Sequence, residues 1–264
     1  MAVINCNEDS FYSASRTSSP ARAVEMALKA EEDGADIIDF GAESTRPGAD
    51  YIDGRTELKR LIPAIEAFRR HSNLAVSVDT RKAAVAGAAL DAGADIINDI
   101  SALEIGESGA EEMLRLCAER AAPVILMHKK GNPPDMQNSP WYSDVVLEVK
   151  TYLLERAEKA AAGGIKKNRI MLDPGIGFGK RVEDNLRLIN HLAELRIDDY
   201  PVVIGLSRKS FLGELTGRSV EERLAATIVA NAAAVMNGAN IIRVHDVREA
   251  VDLVKVLRAA AEAG

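Results

Sequence analysis

A closed (β/α)₈ barrel, one α/β domain over residues 1–264, is the fold class this sequence predicts. Three observations point there. The phrase Gly34-Ala35-Asp36-Ile37-Ile38 returns as Gly93-Ala94-Asp95-Ile96-Ile97 and again as Gly238-Ala239-Asn240-Ile241-Ile242. Each copy follows an Ala-rich helical stretch and opens an apolar run, so one helix-to-strand junction is repeated along the chain. Eight apolar runs alternate with helical patterns throughout, the mark of a parallel sheet wrapped in helices. Length and composition agree: a barrel takes roughly 250 residues. With 47% hydrophobic and only 4% aromatic residues, the core is built from Ala, Val, Ile and Leu, which suits helices packed closely on parallel strands. An open doubly wound sheet is the alternative that the same alternation allows.

The expected strands lie near 2–5, 36–40, 74–79, 95–99, 123–127, 169–172, 201–206 and 240–244. Their β-branched runs lack polar alternation, as befits strands covered on both faces. Ser19-Pro20 opens the first helix, with serine as cap and proline at the first helical position. Gly34, Gly93 and Gly238 end helices, where the left-handed conformation is needed. Thr80 is expected to cap the third helix and Asp246 the last. In that last helix Val247, Ala250, Val251, Val254 and Leu257 form one apolar stripe.

A net charge of −7 argues against nucleic acid or an anionic membrane as partner. Cys6 and Cys117 stand far apart without metal-ligand spacing, which excludes a disulfide framework or zinc site and suits a reducing cytoplasm. The N-terminus shows no signal-peptide pattern, and no apolar run reaches about 18 residues. The chain starts almost at the first strand, so no preceding segment is expected to plug the bottom of the barrel.

Polar residues gather at the strand ends. Asn5 follows the first strand, Thr45-Arg46 the second, Asp79 the third and Asn98 the fourth. His128 follows the fifth, Asp173 the sixth and Lys209 the seventh, while Arg243 and His245 close the eighth. All carboxyl ends of a barrel converge on one face, where active sites are built. Any one of these residues could simply cap a helix, but so many at one face form a site. Asp79, Asn98 and Asp173 suit a flat, nitrogen-rich heterocycle, because a carboxylate accepts two parallel bonds from an amino group and an adjacent ring N–H. Arg46, Lys209, Arg243 and His245 suit phosphate or carboxylate oxygens. The glycine-rich turn from Asp173 to Lys180 would let backbone approach a ligand, although it is neither the G-x-G-x-x-G nor the P-loop pattern. Residue chemistry alone leads to a barrel enzyme handling a polar heterocycle and an anion.

Longer strings are more specific. Glu43-Ser44-Thr45-Arg46-Pro47-Gly48-Ala49, Ser77-Val78-Asp79-Thr80, Ile97-Asn98-Asp99, Leu126-Met127-His128 and Met136-Gln137 occur in that order. They are followed by the run from Leu172 to Lys180, then Ser207-Arg208-Lys209-Ser210-Phe211 and Arg243-Val244-His245-Asp246. Together they resemble the motifs of the dihydropteroate synthases, over essentially the whole chain. The resemblance implies a (β/α)₈ barrel that joins p-aminobenzoate to dihydropterin pyrophosphate. It implies a pterin pocket of Asp79, Asn98, Asp173 and Lys209, shaped by Met127, Phe178 and Gly205. It places pyrophosphate on Asn5, Thr45, Arg46, Arg243 and His245, with Asn5 also a ligand of Mg²⁺. It places p-aminobenzoate beside Arg46, Pro47, Phe178, Ser207 and Lys209. Asp79, Asp173, Lys209 and Arg46 would carry the catalysis, and a cytoplasmic homodimer is implied.

The first loop departs from the family pattern. Asn5-Cys6-Asn7-Glu8-Asp9-Ser10-Phe11 stands where the family usually has Asn-Val-Thr-Pro-Asp-Ser-Phe. Loss of the proline loosens the turn, and Glu8 adds a negative charge near an anionic substrate. A non-catalytic pterin-binding paralogue is therefore one alternative. A methyltetrahydrofolate:corrinoid methyltransferase is another, though it has no need of the Thr45-Arg46-Pro47 loop or the Arg243–His245 pair. Cys6 is expected to be a buried spectator, Lys129-Lys130 a solvated pair, and Trp141 and Tyr142 packing residues. Asp39 and Glu43 either assist the site or, for Asp39, are satisfied inside the barrel mouth.

Overall fold

In a computed structural model, residues 1–6, 20–43, 52–104, 109–131, 140–197 and 200–263 are described. Their elements alternate: β1 (Ala2–Asn5), α1 (Pro20–Glu32), β2 (Ile37–Gly41), α2 (Gly54–Arg69), β3 (Ala75–Asp79) and α3 (Ala83–Asp91) come first. Then follow β4 (Ile96–Asp99), α4 (Ala110–Glu119), β5 (Val124–Met127), α5 (Val145–Ala162), β6 (Ile170–Asp173) and α6 (Val182–Asn190). The chain continues through β7 (Val203–Gly205), α7 (Ser210–Thr216), α8 (Leu224–Met236), β8 (Ile241–Arg243) and α9 (Val247–Glu262). Every expected strand is present, within two residues at most ends.

The sheet is parallel and closes on itself. Strands β1 to β6 pair in sequence order, and β7 pairs with β8. A bridge between Leu172 and Val202 joins β6 to β7, and one between Ala2 and Val244 joins β8 to β1. The second closure is held by Val3 N–H donating to Val244 O at 2.9 Å and Val244 N–H donating to Met1 O at 2.9 Å. Closure decides for the barrel over the open sheet. The chain's repeated junction has its expected conformation: Gly34, Gly93 and Gly238 have φ of 98°, 107° and 104°.

Local chemistry sets the helix starts. Pro20 opens α1 at the first helical position, while the cap expected at Ser19 falls outside the described residues. Asp53 accepts from Thr56 N–H at 3.0 Å to cap α2, and Asp144 accepts from Val146 N–H at 3.1 Å to cap α5. Val247, Ala250 and Leu253 of α9 are buried, with Val251 and Val254 packed beside them, so Leu253 joins the expected stripe and Leu257, half-buried, lies outside that cluster.

Two apolar layers result. The larger joins the outer faces of the strands to the helices, through Ile38, Phe40, Val76, Val78, Ile97, Leu126, Leu172 and Ile204. The smaller lies inside the barrel: Met1, Ile96, Ile125 and Val203 are buried together, with Ile37, Met171 and Ile241 against them. This inner layer fills the bottom of the barrel. Among the described residues no helix is long and apolar enough to cross a membrane.

Candidate active site

Strand side chains alternate between faces, so positions two residues beyond the inner apolar layer also point inward. Counting up two from Ile37, Ile96, Ile125, Met171, Val203 and Ile241 gives Asp39, Asn98, Met127, Asp173, Gly205 and Arg243. Asp79 ends β3 in register with Asn98, and Asn5 ends β1 in register with Gly41. The barrel floor is therefore apolar and its upper storey polar. All eight strands supply this storey, and seven of them carry residues expected from the sequence; Asp39 on β2 is the addition.

Arg243 is the centre of that storey. Its Nε donates to Asp39 Oδ2 at 2.6 Å and its Nη2 to Asp79 Oδ2 at 2.9 Å. Asn98 donates its amide to the same Asp39 oxygen at 3.2 Å. Burial raises the pKa of Asp79 to about 7; Arg243 opposes the shift, while Asp39, Glu57 and Glu43 add to it. The site thus holds a carboxyl poised near neutrality, the kind of perturbation that marks functional sites.

Opposite stand Asp173 and Lys209. Asp173 is buried and accepts from Gly175 N–H at 2.7 Å. Burial raises its pKa, and Lys209 opposes that rise. Burial also lowers Lys209 to about 8, against the pull of Asp173. The Lys209 ammonium donates to Ile176 O and lies 4.8 Å from the centre of the Phe178 ring. Gly205 leaves room between these groups: a Cβ there would meet only Arg243 Cβ and Lys209 Nζ, both at 3.9 Å. Carboxylates and cations are interleaved around it: Arg243 lies between Asp39 and Asp79, and Lys209 is drawn by Asp173.

The loops after β7 and β8 are fastened together. Ser207 Oγ lies 3.0 Å from His245 Nδ1 and accepts from His245 N–H at 3.2 Å. One residue along, Arg208 pairs with Asp246 by two bonds, Nε to Oδ2 at 2.9 Å and Nη2 to Oδ1 at 2.8 Å. Its Nη1 donates to Val220 O at 2.9 Å and Glu221 O at 2.8 Å. Arg208 has φ of 56°, a left-handed conformation that a non-glycine residue adopts only when its surroundings impose it. Asp246 sits at the N-cap of α9 but makes no side-chain cap bond, because its carboxylate belongs to Arg208.

Several expectations need correction. His128 is buried and follows inward-facing Met127, so it turns away from the mouth: its Nδ1 lies 2.8 Å from Lys180 Nζ and its ring packs edge-on to Tyr152 at 4.9 Å. Burial, then the Lys180 charge, keeps His128 well below the usual histidine pKa. Lys180 also donates to Gly175 O at 2.9 Å and Phe178 O at 3.1 Å, making it a strut under the glycine-rich turn. Two glycines of that turn are pressed against the loop after β5, while Gly177 faces Lys209. A Cβ on Gly175 would fall 1.8 Å from His128 O, and one on Gly179 would fall 2.1 Å from Lys130 O. Thr80 accepts from Lys82 N–H at 3.2 Å in a local turn, and the N-cap of α3 is Lys82 instead. Trp141 is 66% exposed, whereas Tyr142 is buried and donates to Gly179 O at 2.8 Å. Lys130 is tied down, with its ammonium 4.1 Å from the Tyr142 ring centre. Cys6 is the buried spectator expected, its thiol pushed up to about 12 by burial.

Asp39 answers the choice left open for it: it is inside the mouth and bonded to two site residues. Glu43 sits at the rim, accepting from Ile52 N–H at 2.9 Å and Lys82 Nζ at 3.1 Å. Asn5 and Met127 end β1 and β5, Phe178 lies beside the Lys209 ammonium, and Ser207 is bonded to His245. Thr45, Arg46, Pro47, the Met136-Gln137 string and the altered stretch Asn7 to Phe11 lie outside the described residues. A carboxylate inside a buried β-branched strand is the signal by which the sequence marks Asp39.

The comparisons with known proteins bear on this geometry. The pterin binding enzyme family matches residues 1–245. The dihydropteroate synthase of Escherichia coli strain K12 is 42% identical over 263 residues, covering 100% of this chain and 92% of that protein. A Yersinia pestis dihydropteroate synthase solved with a sulfonamide drug superimposes with a TM-score of 0.94 at 38% identity, covering 99% and 93% of the two chains. A Xanthomonas albilineans dihydropteroate synthase solved with 7,8-dihydropteroate gives 0.86 at 39% identity, covering 98% and 92%. With a closed barrel, a polar storey at its carboxyl end and full-length identity of this order, the chain belongs to the dihydropteroate synthase family of pterin binding enzymes, which are transferases.

Proposed function

We infer that this chain joins p-aminobenzoate to 6-hydroxymethyl-7,8-dihydropterin pyrophosphate, giving 7,8-dihydropteroate and pyrophosphate in folate biosynthesis. The observation that carries the reading is the adjacency of two grips in one mouth. Asp79, Asp173 and Asn98 offer acceptors and an amide for a pterin edge, while Lys209, Arg243 and His245 offer positive charge beside them. Relatives solved with 7,8-dihydropteroate and with 4-aminobenzoic acid support it.

By this reading Asp79, Asn98, Asp173 and Lys209 hold the pterin ring, in a slot shaped by Met127, Phe178 and Gly205. Asn5, Arg243 and His245 hold the pyrophosphate, with Thr45 and Arg46. Phe178, Ser207 and Lys209 border the p-aminobenzoate, with Arg46 and Pro47. The carbon–oxygen bond to pyrophosphate breaks first, and positive charge spreads from the methylene carbon into the ring. Asp79 and Asp173 stabilise that charge while Arg243 and His245 stabilise the departing anion. The neutral amine of p-aminobenzoate then attacks the carbon and loses its proton. Side chains closing over the slot keep out water, the competing nucleophile. Separation of the two charges is the main work of the site.

Mg²⁺ fits the donors present. The amide oxygen of Asn5 is a hard ligand, and among the described residues no group of three His, Cys, Asp or Glu side chains forms a cage by itself. Asn5 would hold the magnesium, whose positive charge would offset that of the pyrophosphate. One domain over residues 1–264 acting as a cytoplasmic homodimer completes the proposal. Helix α8 is apolar on nearly all sides and exposes Val229 at 71% and Met236 at 76%, a surface suited to a second copy.

Calorimetry tests the assignment of the anion. The protein should bind dihydropterin pyrophosphate at least about 100-fold more tightly than the phosphate-free hydroxymethyl pterin, equivalent to about 2.7 kcal/mol, and Arg243→Ala should remove most of that difference. Equal affinity of the unaltered protein for both ligands would count against a pyrophosphate-bearing substrate.

A further inference from the structure

Asp39 is the one charged residue of the inner storey to which no part of the reaction has been assigned. It is fully buried, one turn of the strand pleat above the apolar floor. Its Oδ2 is shared between Arg243 Nε at 2.6 Å and Asn98 Nδ2 at 3.2 Å. Its Oδ1 is buried with no hydrogen-bond partner among the described residues, and so is the hydroxyl of Ser77, its register partner on β3. A carboxylate half-satisfied in a closed interior lowers the stability of the fold, because each desolvated oxygen left unpaired carries a penalty. Position 39 faces the same interior as Ile37, where an aliphatic residue would pack without that penalty. Local rules broken in this way mark function rather than folding.

Its two partners belong to different halves of the substrate. In the reading above, which this inference rests on, Asn98 touches the pterin ring and Arg243 the pyrophosphate. We propose that Asp39 is a positioning residue: by holding Asn98 and Arg243 on a single oxygen, it fixes the spacing between the pterin grip and the anion grip. Asp39 touches neither substrate half itself. Arg243 has a long side chain with many rotamers, and the short bond to Asp39 leaves it one arrangement before substrate arrives. Asn98 has an amide that can turn over, and the same oxygen selects the orientation with its nitrogen towards Asp39. Loss of Asp39 should therefore loosen both halves together, a signature distinct from loss of either ligand-touching residue.

Two measurements test this. In Asp39→Asn, the isosteric change, the KM for dihydropterin pyrophosphate should rise roughly tenfold or more, the scale of a lost hydrogen bond to a charged group. Calorimetric affinities for phosphate-free pterin and for inorganic pyrophosphate should both weaken, while the KM for p-aminobenzoate stays within about twofold. A variant that melts earlier but keeps the wild-type constants would show a role in folding only and overturn the proposal. The second measurement leaves Asp39 in place. Asn98→Ala should weaken binding of inorganic pyrophosphate several-fold, although the amide does not touch it, because Asp39 then holds Arg243 less firmly. Unchanged pyrophosphate affinity in Asn98→Ala would overturn the proposal even if Asp39→Asn fails to fold. Should the unaltered protein bind neither pterin nor pyrophosphate, the functional reading itself falls; should it bind both and turn over, the variants judge Asp39 alone.

Discussion

Arg208 and Asp246 form a two-bond ion pair at 2.8 and 2.9 Å that ties the loop after β7 to the loop after β8. Their side chains are 6% and 11% exposed, so the pair is screened little by solvent. Its neighbours are the residues the reaction needs: Ser207 and Lys209 flank Arg208, and Arg243 and His245 precede Asp246. A fold-stabilising contact and the geometry of the site are here one feature.

Asp246→Asn should therefore do two things. Breaking a buried pair from one side lowers stability by about 3 kcal/mol, which urea unfolding would show as a lower midpoint. The remaining folded protein should bind the pyrophosphate substrate more weakly, since His245 and Lys209 lose their shared support. Arg208→Lys should resemble it, because an ammonium cannot make the guanidinium's four bonds. Wild-type stability in either variant would contradict this account of the pair.

The pH dependence follows from two buried groups. Asp79 stands at about 7 and Lys209 at about 8, both through burial. Catalysis by this reading needs Asp79 ionised and Lys209 protonated, so kcat/KM should be bell-shaped, falling below about pH 7 and above about pH 8. Stability of the empty protein moves differently. Folding raises the proton affinity of Asp79 from an ordinary 3.8, so its share of stability is full below that value and lost as pH rises through about 7. Folding lowers that of Lys209 from 10.5, so its share is full above 10.5 and lost as pH falls through about 8. In Asp79→Asn the decline of Tm between pH 4 and 7 should shrink, as measured by calorimetry across that range. An unaltered slope would show that Asp79 does not titrate there.

Gly175 and Gly205 should behave oppositely. Alanine at Gly175 would drive a Cβ into His128 O and hold a left-handed φ of 64°, a change expected to unfold or strongly destabilise the barrel. A Cβ on Gly205 would make only ordinary contacts, with Arg243 and Lys209 at 3.9 Å, so Gly205→Ala should keep the wild-type Tm. Gly205→Val should also fold, but by filling the slot between Arg243 and Lys209 it should reduce pterin affinity at least about tenfold. Thermal melts and pterin titration together separate the two glycines.

Neither cysteine should react in the folded protein. Burial pushes both Cys6 and Cys117 to about 12, which leaves almost no thiolate at pH 8. Ellman's reagent at pH 8 should label neither until denaturant is added. Prompt labelling of Cys6 would show that the end of β1 opens.

The barrel and most of its mouth were legible in the sequence because both are local. A short apolar run ending in Asp79, Asn98, Asp173 or Arg243 announces a buried strand and its exit together. Residues held by distant partners were not legible. Asp246 reads as a helix cap because it precedes Val247, and only the fold brings Arg208 to claim it. His128 follows a strand as the others do, yet one residue of offset turns it to the outer face, where Lys180 waits. Gly175 and Gly179 read as room for a ligand, and the chain's own β5 loop takes that room. Asp39 was visible but ambiguous, since alternation along a short strand gives a face and not a partner.

The most direct test of the central claim is turnover. The protein incubated with dihydropterin pyrophosphate, p-aminobenzoate and Mg²⁺ should release dihydropteroate and pyrophosphate in equal amounts, and chelation of the metal should slow both together. Tight binding of the pterin substrate with no dihydropteroate formed would contradict the account, and would leave a pterin-binding protein whose first loop, with Asn7 and Glu8, no longer supports the reaction.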